Sequence, residues 1–241
     1  MTAFPASSQP GTSSPSRADQ DIVVGSVAFA ADPAGALYWP AQGTLVVADL
    51  HLEKGSSFAA RGILLPPYDT AFTLAHLARM VTYYAPRCVI ALGDSFHDGG
   101  GPARLINNDR DALHIMQRGR EWIWITGNHD PEPAEGIGGE FKLAMTLGPL
   151  TLRHMPSGES GEICGHLHPV ARVSHRGRMV SRRCFAADSD RMVMPALGAY
   201  TGGLNIRNAA FADFFGTLSF KAHLLGEDRL YVFGARHCLP D

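Results

Sequence analysis

Residues 44–51 have the sequence TLVVADLH, and this stretch decides the fold. Its first five residues are apolar or β-branched without interruption, which is typical of a β-strand that is covered on both faces. The apolar stretch ends at Asp49, and His51 follows two positions later. The sequence therefore predicts a buried strand with polar side chains at its carboxyl end.

The same arrangement occurs twice more along the chain. Residues 87–94 have the sequence RCVIALGD and residues 121–130 have the sequence EWIWITGNHD. Apolar residues at helical spacing predict helices over 69–84 and from 102 to about 118 between these strands. Ligands of open α/β sheets bind beyond the carboxyl ends of the strands, so the three polar loops are expected to converge on one site.

The rest of the chain is dominated by short predicted strands. Strands are predicted within 22–29 and at 37–39, and further strands at 150–154, 162–165 and 211–215 alternate with turns. We find no linker rich in Pro or Ser and no internal repeat in this part of the sequence. The simplest interpretation is one mixed α/β domain in which two sheets face each other.

The two ends of this domain are predicted at residues 21 and 241. Residues 1–20 are rich in Ser and Pro and contain one Arg and no Lys, which predicts a disordered tail rather than a signal peptide. No apolar stretch approaches the roughly 20 residues of a membrane helix. We therefore expect a protein without a membrane span.

The overall composition excludes a uniformly basic nucleic-acid-binding surface. The 241 residues include 21 Lys and Arg against 23 Asp and Glu, which gives a formal net charge of −2. Any anionic partner must then be held by a local feature. The four cysteines are scattered and form no C-x-x-C pair, which favours reduced thiols in the cytoplasm.

Side chains suited to metal binding are concentrated in the polar loops. They are Asp49, His51, Asp94, Asn128, His129, Asp130, His154, His166 and His168. In extended chain, residues two apart point the same way, so a D-x-H or H-x-H pair can aim at one point. Each pair alone is weak evidence. Burying the whole set without metals would leave unpaired charge and unsatisfied polar groups, so we interpret it as a metal centre.

These motifs resemble those of the calcineurin-like metallophosphoesterases. The D-x-H, G-D, G-N-H-D, H and G-H-x-H motifs occur in that order between Thr44 and His168. Residues 49–62 and 195–204 also resemble the subgroup of ligase-associated DNA-damage-response phosphodiesterases and endonucleases. The resemblance implies a four-layer αββα sandwich of two facing mixed β-sheets flanked by helices.

The resemblance also implies two divalent cations, with Asp94 as the carboxylate that bridges them. Asp49, His51 and His168 would complete the first cation's ligands, and Asn128, His154 and His166 the second's. Oxygen and nitrogen ligands without a thiolate favour Mn, Fe or Zn over Ca, and manganese is our first expectation. A water activated by the cations would attack the phosphorus, while His129 gives a proton to the leaving oxygen and Asp130 orients His129.

Two features bear on the substrate. Many family phosphatases have an Arg that binds phosphate after the G-D motif, whereas this chain has Ser-Phe-His-Asp at 95–98, which favours a monoanionic diester. His97 is either a substrate contact or an ordinary loop histidine. Residues 163–187 contain no Asp or Glu, and Arg182 and Arg183 there either bind a phosphate backbone or belong to a solvated hairpin.

The sequence thus predicts a metal-dependent phosphodiesterase that acts on nucleic acid, in the manner of a DNA-repair endonuclease. The resemblance implies a DNA ligase or helicase as functional partners. One alternative is a phosphohydrolase of a small nucleotide or pyrophosphate. The other is a non-catalytic scaffold, which the complete ligand set disfavours.

Overall fold

The three predicted apolar strands lie side by side in the computed structural model, which describes residues 21–175 and 177–241. The predicted tail at 1–20 and Arg176 lie outside the described residues. The first sheet contains, in chain order, β1 (Asp21–Val24), β2 (Val27–Ala31), β3 (Leu37–Trp39), β4 (Thr44–Ala48), β5 (Cys88–Leu92), β6 (Glu121–Ile125) and β7 (Glu140–Lys142). Strands β4, β5, β6 and β7 are parallel, and Ala48, Leu92 and Ile125 are in register at one edge.

The second sheet is built from the later half of the chain. Its strands are β8 (Ala144–Leu147), β9 (Leu150–Arg153), β10 (Glu162–Cys164), β11 (Pro169–His175), β12 (Arg178–Ala187), β13 (Arg191–Val193), β14 (Leu204–Asn205), β15 (Lys221–Leu225) and β16 (Leu230–Gly234). Their order is β14-β11-β12-β13-β10-β9-β8, with β15 paired to β12 and β16 paired to β15. Strands β9, β10 and β13 are parallel, so their carboxyl ends also meet at one edge.

Five α-helices occur in the described residues, and the three longest cover the outer faces of the two sheets. The five are α1 (Lys54–Ala59), α2 (Asp69–Tyr84), α3 (Gly101–Arg104), α4 (Asn107–Gln117) and α5 (Ala209–Phe215). The helix predicted over 102–118 is interrupted because Leu105 and Ile106 have extended backbone conformations. Within the described part of the chain, every helix is too short or too polar to cross a bilayer.

Three apolar cores hold the layers together. The first lies between the sheets and includes Val46 and Ile90 from one sheet and Phe185 from the other. The second packs the outer face of the first sheet, including Trp124, against α2 and α4, where Leu77 is fully buried. The third core packs the outer face of the second sheet against α5. This arrangement confirms the predicted αββα sandwich.

Two further local predictions are wrong. The strand predicted at 211–215 is part of α5, because the Asn208 side chain accepts a hydrogen bond from the Ala210 N–H and begins a helix. The phenylalanines of α5 then fall at helical spacing and are buried against the sheet. The single strand expected within 22–29 is a hairpin instead, because Gly25 and Ser26 have positive φ and form a two-residue turn.

Candidate metal centre

The predicted ligands lie where the chain turns sharply at the carboxyl ends of the strands. Five of them have positive φ, a conformation that non-glycine residues rarely adopt: Asp49 (53°), His51 (43°), Asp94 (45°), His166 (68°) and His168 (44°). Such strain persists only when the surrounding structure enforces it, and it is concentrated at functional sites. Positive φ angles therefore occur at five of the residues that the sequence motifs predict as ligands.

Close packing around these turns requires glycine at several positions, of which Gly93 and Gly198 are two. A Cβ atom on Gly93 would overlap the imidazole ring of His154. A Cβ atom on Gly198 would overlap the carbonyl of Leu50, and the Gly198 N–H donates to the carbonyl of Asp49. The two sheets can thus approach closely enough for their loops to share one centre.

Asp49, His51 and His168 form the first group of potential ligands. His168 Nε2 lies 3.2 Å from Asp49 Oδ1, and His51 Nε2 lies 3.3 Å from His168 Nε2. The carboxylate of Asp49 accepts the backbone N–H of His166, which ties the D-x-H loop to the H-x-H loop. The three side chains offer donor atoms within 4.8 Å of one another, so this group could hold a metal ion.

Asp94, His154 and His166 form the second group, with Asn128 beside them. His154 Nε2 lies 3.3 Å from Asp94 Oδ1, 3.3 Å from His166 Nδ1 and 3.0 Å from Asn128 Oδ1. The other nitrogen of His154, Nδ1, lies 3.0 Å from the Leu92 carbonyl. Because a carbonyl only accepts, Nδ1 carries a proton, and in the neutral form of the ring Nε2 is the nitrogen that can bind a metal.

Asp94 lies between the two groups. Its Oδ1 faces His154, and its Oδ2 is 3.8 Å from His51 Nε2. The backbone N–H of His129 donates to Oδ1 at 2.9 Å and fixes the carboxylate. The seven predicted ligands, Asp94 included, come from five separate stretches of chain and are therefore brought together at one place.

The chemistry of these residues fits divalent cations. Burial lowers the pKa of His51 to about 3, so its ring is neutral at pH 7. Burial alone would raise the pKa of Asp94, but in the chain without cations the hydrogen bonds from the His154 ring and the His129 N–H outweigh burial and lower that pKa to about 2. A cation on Nε2 would replace the His154 proton there. A neutral imidazole and an ionised carboxylate are the forms that bind metals. Metal ions would also complement buried carboxylates and closely spaced imidazole nitrogens.

His129 extends from the Asn128 loop into solvent beside the two groups. Its Nδ1 lies 2.8 Å from the His97 carbonyl, and its Nε2 is 4.0 Å from Asp94 Oδ2. The expectation that Asp130 orients this ring is wrong. The carboxylate of Asp130 instead accepts the N–H groups of Phe96 and Gly127, at 3.0 Å each, and burial raises its pKa to about 6.

His97 belongs to a third cluster of histidines. The sequence motifs indicated His97 as a candidate but did not predict this cluster. Its ring stacks on His129 with centroids 5.1 Å apart, and its Nδ1 lies 3.4 Å from His51 Nδ1. The Phe58 ring of α1 lies 5.6 Å away. His51, His97 and His129 offer a third set of nitrogens within 4.8 Å. The G-D-x-x-H spacing was the available sequence signal for His97.

The two arginines singled out in the sequence have different surroundings. Arg183 donates to the carbonyls of Ala196, Leu197 and Gly198, so it holds the loop that packs on Asp49. Arg182 is exposed and lines a cavity with side chains of β15 and β16, away from the polar loops. The predicted contact of both arginines with substrate stays a prediction.

This fold is shared with a protein of known structure. The nuclease MPE of Pseudomonas putida superposes with a TM-score of 0.67 and 24% sequence identity, over 89% of this chain and 99% of that chain. No protein-family model and no curated protein matches the sequence. At this level of identity, the likeness shows the common architecture.

Proposed function

We propose that the chain is a calcineurin-like metallophosphoesterase that hydrolyses phosphodiester bonds with two divalent cations, most readily manganese. The observation that supports this most strongly is the position of Asp94, with one oxygen facing each of two His/Asp groups. A bridging carboxylate is what a pair of cations about 3.5–4 Å apart requires. The proposed domain spans residues 21–241.

Different residues of the chain would have different roles in the reaction. When bound, the cations would supply Lewis acidity to activate a water and to neutralise the phosphate. Asp49, His51 and His168 would hold one, and Asn128, His154 and His166 the other. His129 keeps its Nδ1–H on the His97 carbonyl, so the imidazolium form of the ring is the one that can give a proton to the leaving oxygen, through Nε2–H, and it becomes the neutral Nδ1–H ring.

We propose nucleic acid as the substrate, and endonuclease action in DNA repair as the setting. The name of the Pseudomonas putida protein supports a nuclease, and the lack of an arginine after the G-D motif favours a diester. The four buried, free cysteines are compatible with the cytoplasm. A DNA ligase or helicase as partner belongs to the same proposal. A small nucleotide or pyrophosphate substrate is the alternative, since the exposed Asn128 leaves the centre open.

We expect the purified protein to hydrolyse bis(4-nitrophenyl) phosphate and an oligonucleotide with added manganese and not after chelation. The assay compares both diesters with 4-nitrophenyl phosphate and pyrophosphate in the same buffer. Faster hydrolysis of the two diesters supports the proposal. A preference for pyrophosphate or the monoester supports the alternative, and no hydrolysis with any metal contradicts both.

A further inference from the structure

A cavity of about 430 Å³ opens directly beside the second ligand group. Its lining includes Thr126, Asn128, Leu143, Arg153, His154 and Met155. Two of these, Asn128 and His154, are proposed ligands whose Oδ1 and Nε2 atoms are 3.0 Å apart. A molecule in this cavity is therefore in contact with the residues around the proposed scissile phosphate.

The outer wall of the cavity is apolar and exposed. The side chain of Leu143 is 83% exposed and that of Met155 is 54% exposed. Leu143 is the single residue between β7 and β8, and the Thr126 N–H donates to the carbonyl of Lys142 next to it. The backbone thus holds the leucine at the mouth of the cavity. Together with the cavity, these two apolar side chains offer a ligand a surface to pack on beside the polar ligand group.

The cationic residue of this cavity is already paired. Arg153 lies 3.1 Å from a carboxylate oxygen of Glu159 and 3.5 Å from one of Glu162. With its charge balanced in this way, the arginine does not make the cavity a second phosphate site. The ligand that fits is neutral and has apolar faces with polar edges, and the volume is in the usual range of small-molecule pockets, about 300–1,000 Å³.

We propose that this cavity binds the nucleobase next to the scissile phosphate, with Leu143 and Met155 packed against the faces of the base. The inference rests on the proposed function, because it takes the cations to hold a phosphodiester. Enzymes that accept a base out of its stack hold it between aromatic or apolar side chains. Packing against the flat face is tolerant of base identity, so the cavity selects for the presence of a base rather than for a sequence.

The test is the cleavage pattern of an oligothymidylate that carries one abasic tetrahydrofuran residue. Wild-type protein is expected to cleave the diester on one side of the abasic residue about tenfold less than the other diesters. Leu143→Ala/Met155→Ala is expected to remove most of that difference while it binds as much manganese as wild-type protein. The control variant Ile115→Ala/Met179→Ala removes two other exposed apolar side chains, outside the cavity, and is expected to keep the wild-type pattern.

Each remaining outcome overturns the inference in a distinguishable way. If active wild-type protein cleaves every diester equally, the proposed base site is wrong and the proposed phosphodiesterase activity still holds. An unchanged pattern in the Leu143/Met155 variant assigns the preference to another part of the surface. A protein that hydrolyses bis(4-nitrophenyl) phosphate but no oligonucleotide contradicts the nucleic-acid substrate, and inactivity on both contradicts the proposed function itself.

Discussion

Asp94→Asn is expected to reduce manganese-dependent hydrolysis of bis(4-nitrophenyl) phosphate by about 10³-fold or more, equivalent to about 4 kcal/mol of transition-state stabilisation. The asparagine keeps an oxygen that can accept the His129 N–H, which Asp94 Oδ1 accepts at 2.9 Å. It loses the negative charge and the second anionic oxygen, which lies 3.8 Å from His51 Nε2. The change therefore removes the bridge while keeping the shape of the loop.

Asp190→Asn is the matched control for this variant. Asp190 is a turn carboxylate that accepts hydrogen bonds from Ser160 and Gly161, remote in sequence from the ligand motifs. We expect the control to keep wild-type activity and two equivalents of bound manganese. The Asp94 variant should bind one equivalent or fewer by elemental analysis, with an unfolding transition that remains cooperative. Full activity in folded Asp94→Asn protein would refute the bridging role.

His129→Ala is expected to lower the turnover of an oligonucleotide by about 10²–10⁴-fold, the usual contribution of a positioned general acid. The effect on bis(4-nitrophenyl) phosphate should be much smaller, because 4-nitrophenolate leaves without a proton. The ring is 40% exposed and held through Nδ1 by the His97 carbonyl, so its loss should not disturb the fold. The measurement is kcat for both substrates at saturating manganese.

Comparing the loss of kcat on the oligonucleotide with that on bis(4-nitrophenyl) phosphate shows whether His129 acts as a general acid or has only a structural role. His114→Ala provides the control, since His114 is a histidine on α4 whose ring contacts the carbonyl of Gly136. We expect that variant to keep both rates. An equal loss on both substrates in His129→Ala would instead indicate a role in metal binding or in holding the phosphate, and the general-acid assignment would be wrong.

The elements that the sequence predicted well are those whose signals are local. Strand β4 has the predicted bounds because a continuous apolar stretch is bounded by Asp49, and α2 spans the predicted residues 69–84 because its apolar face has helical spacing. Reliance on local signals also explains why a strand was wrongly predicted at 211–215. Phenylalanine favours strands, but the capping side chain of Asn208 and the space beside the second sheet decide the helix.

The same difference between local sequence signals and long-range contacts applies to the candidate site. The motifs predicted which seven side chains meet, since each lies within a few residues of a strand end. They did not predict that Asp130 would bind the backbone of Phe96 and Gly127, or that Arg183 would hold the 196–198 loop. Those partners are backbone groups, most of them distant in sequence, and any residue type supplies them, so only the folded chain reveals them.

The most direct test of the account is anomalous diffraction at the manganese absorption edge from a crystal grown with manganese. The account predicts two peaks about 3.5–4 Å apart. One should contact Asp49, His51 and His168, the other should contact Asn128, His154 and His166, and Asp94 should touch both. A single peak, or two peaks that do not share Asp94, would contradict the dinuclear centre and the phosphodiesterase mechanism proposed from it.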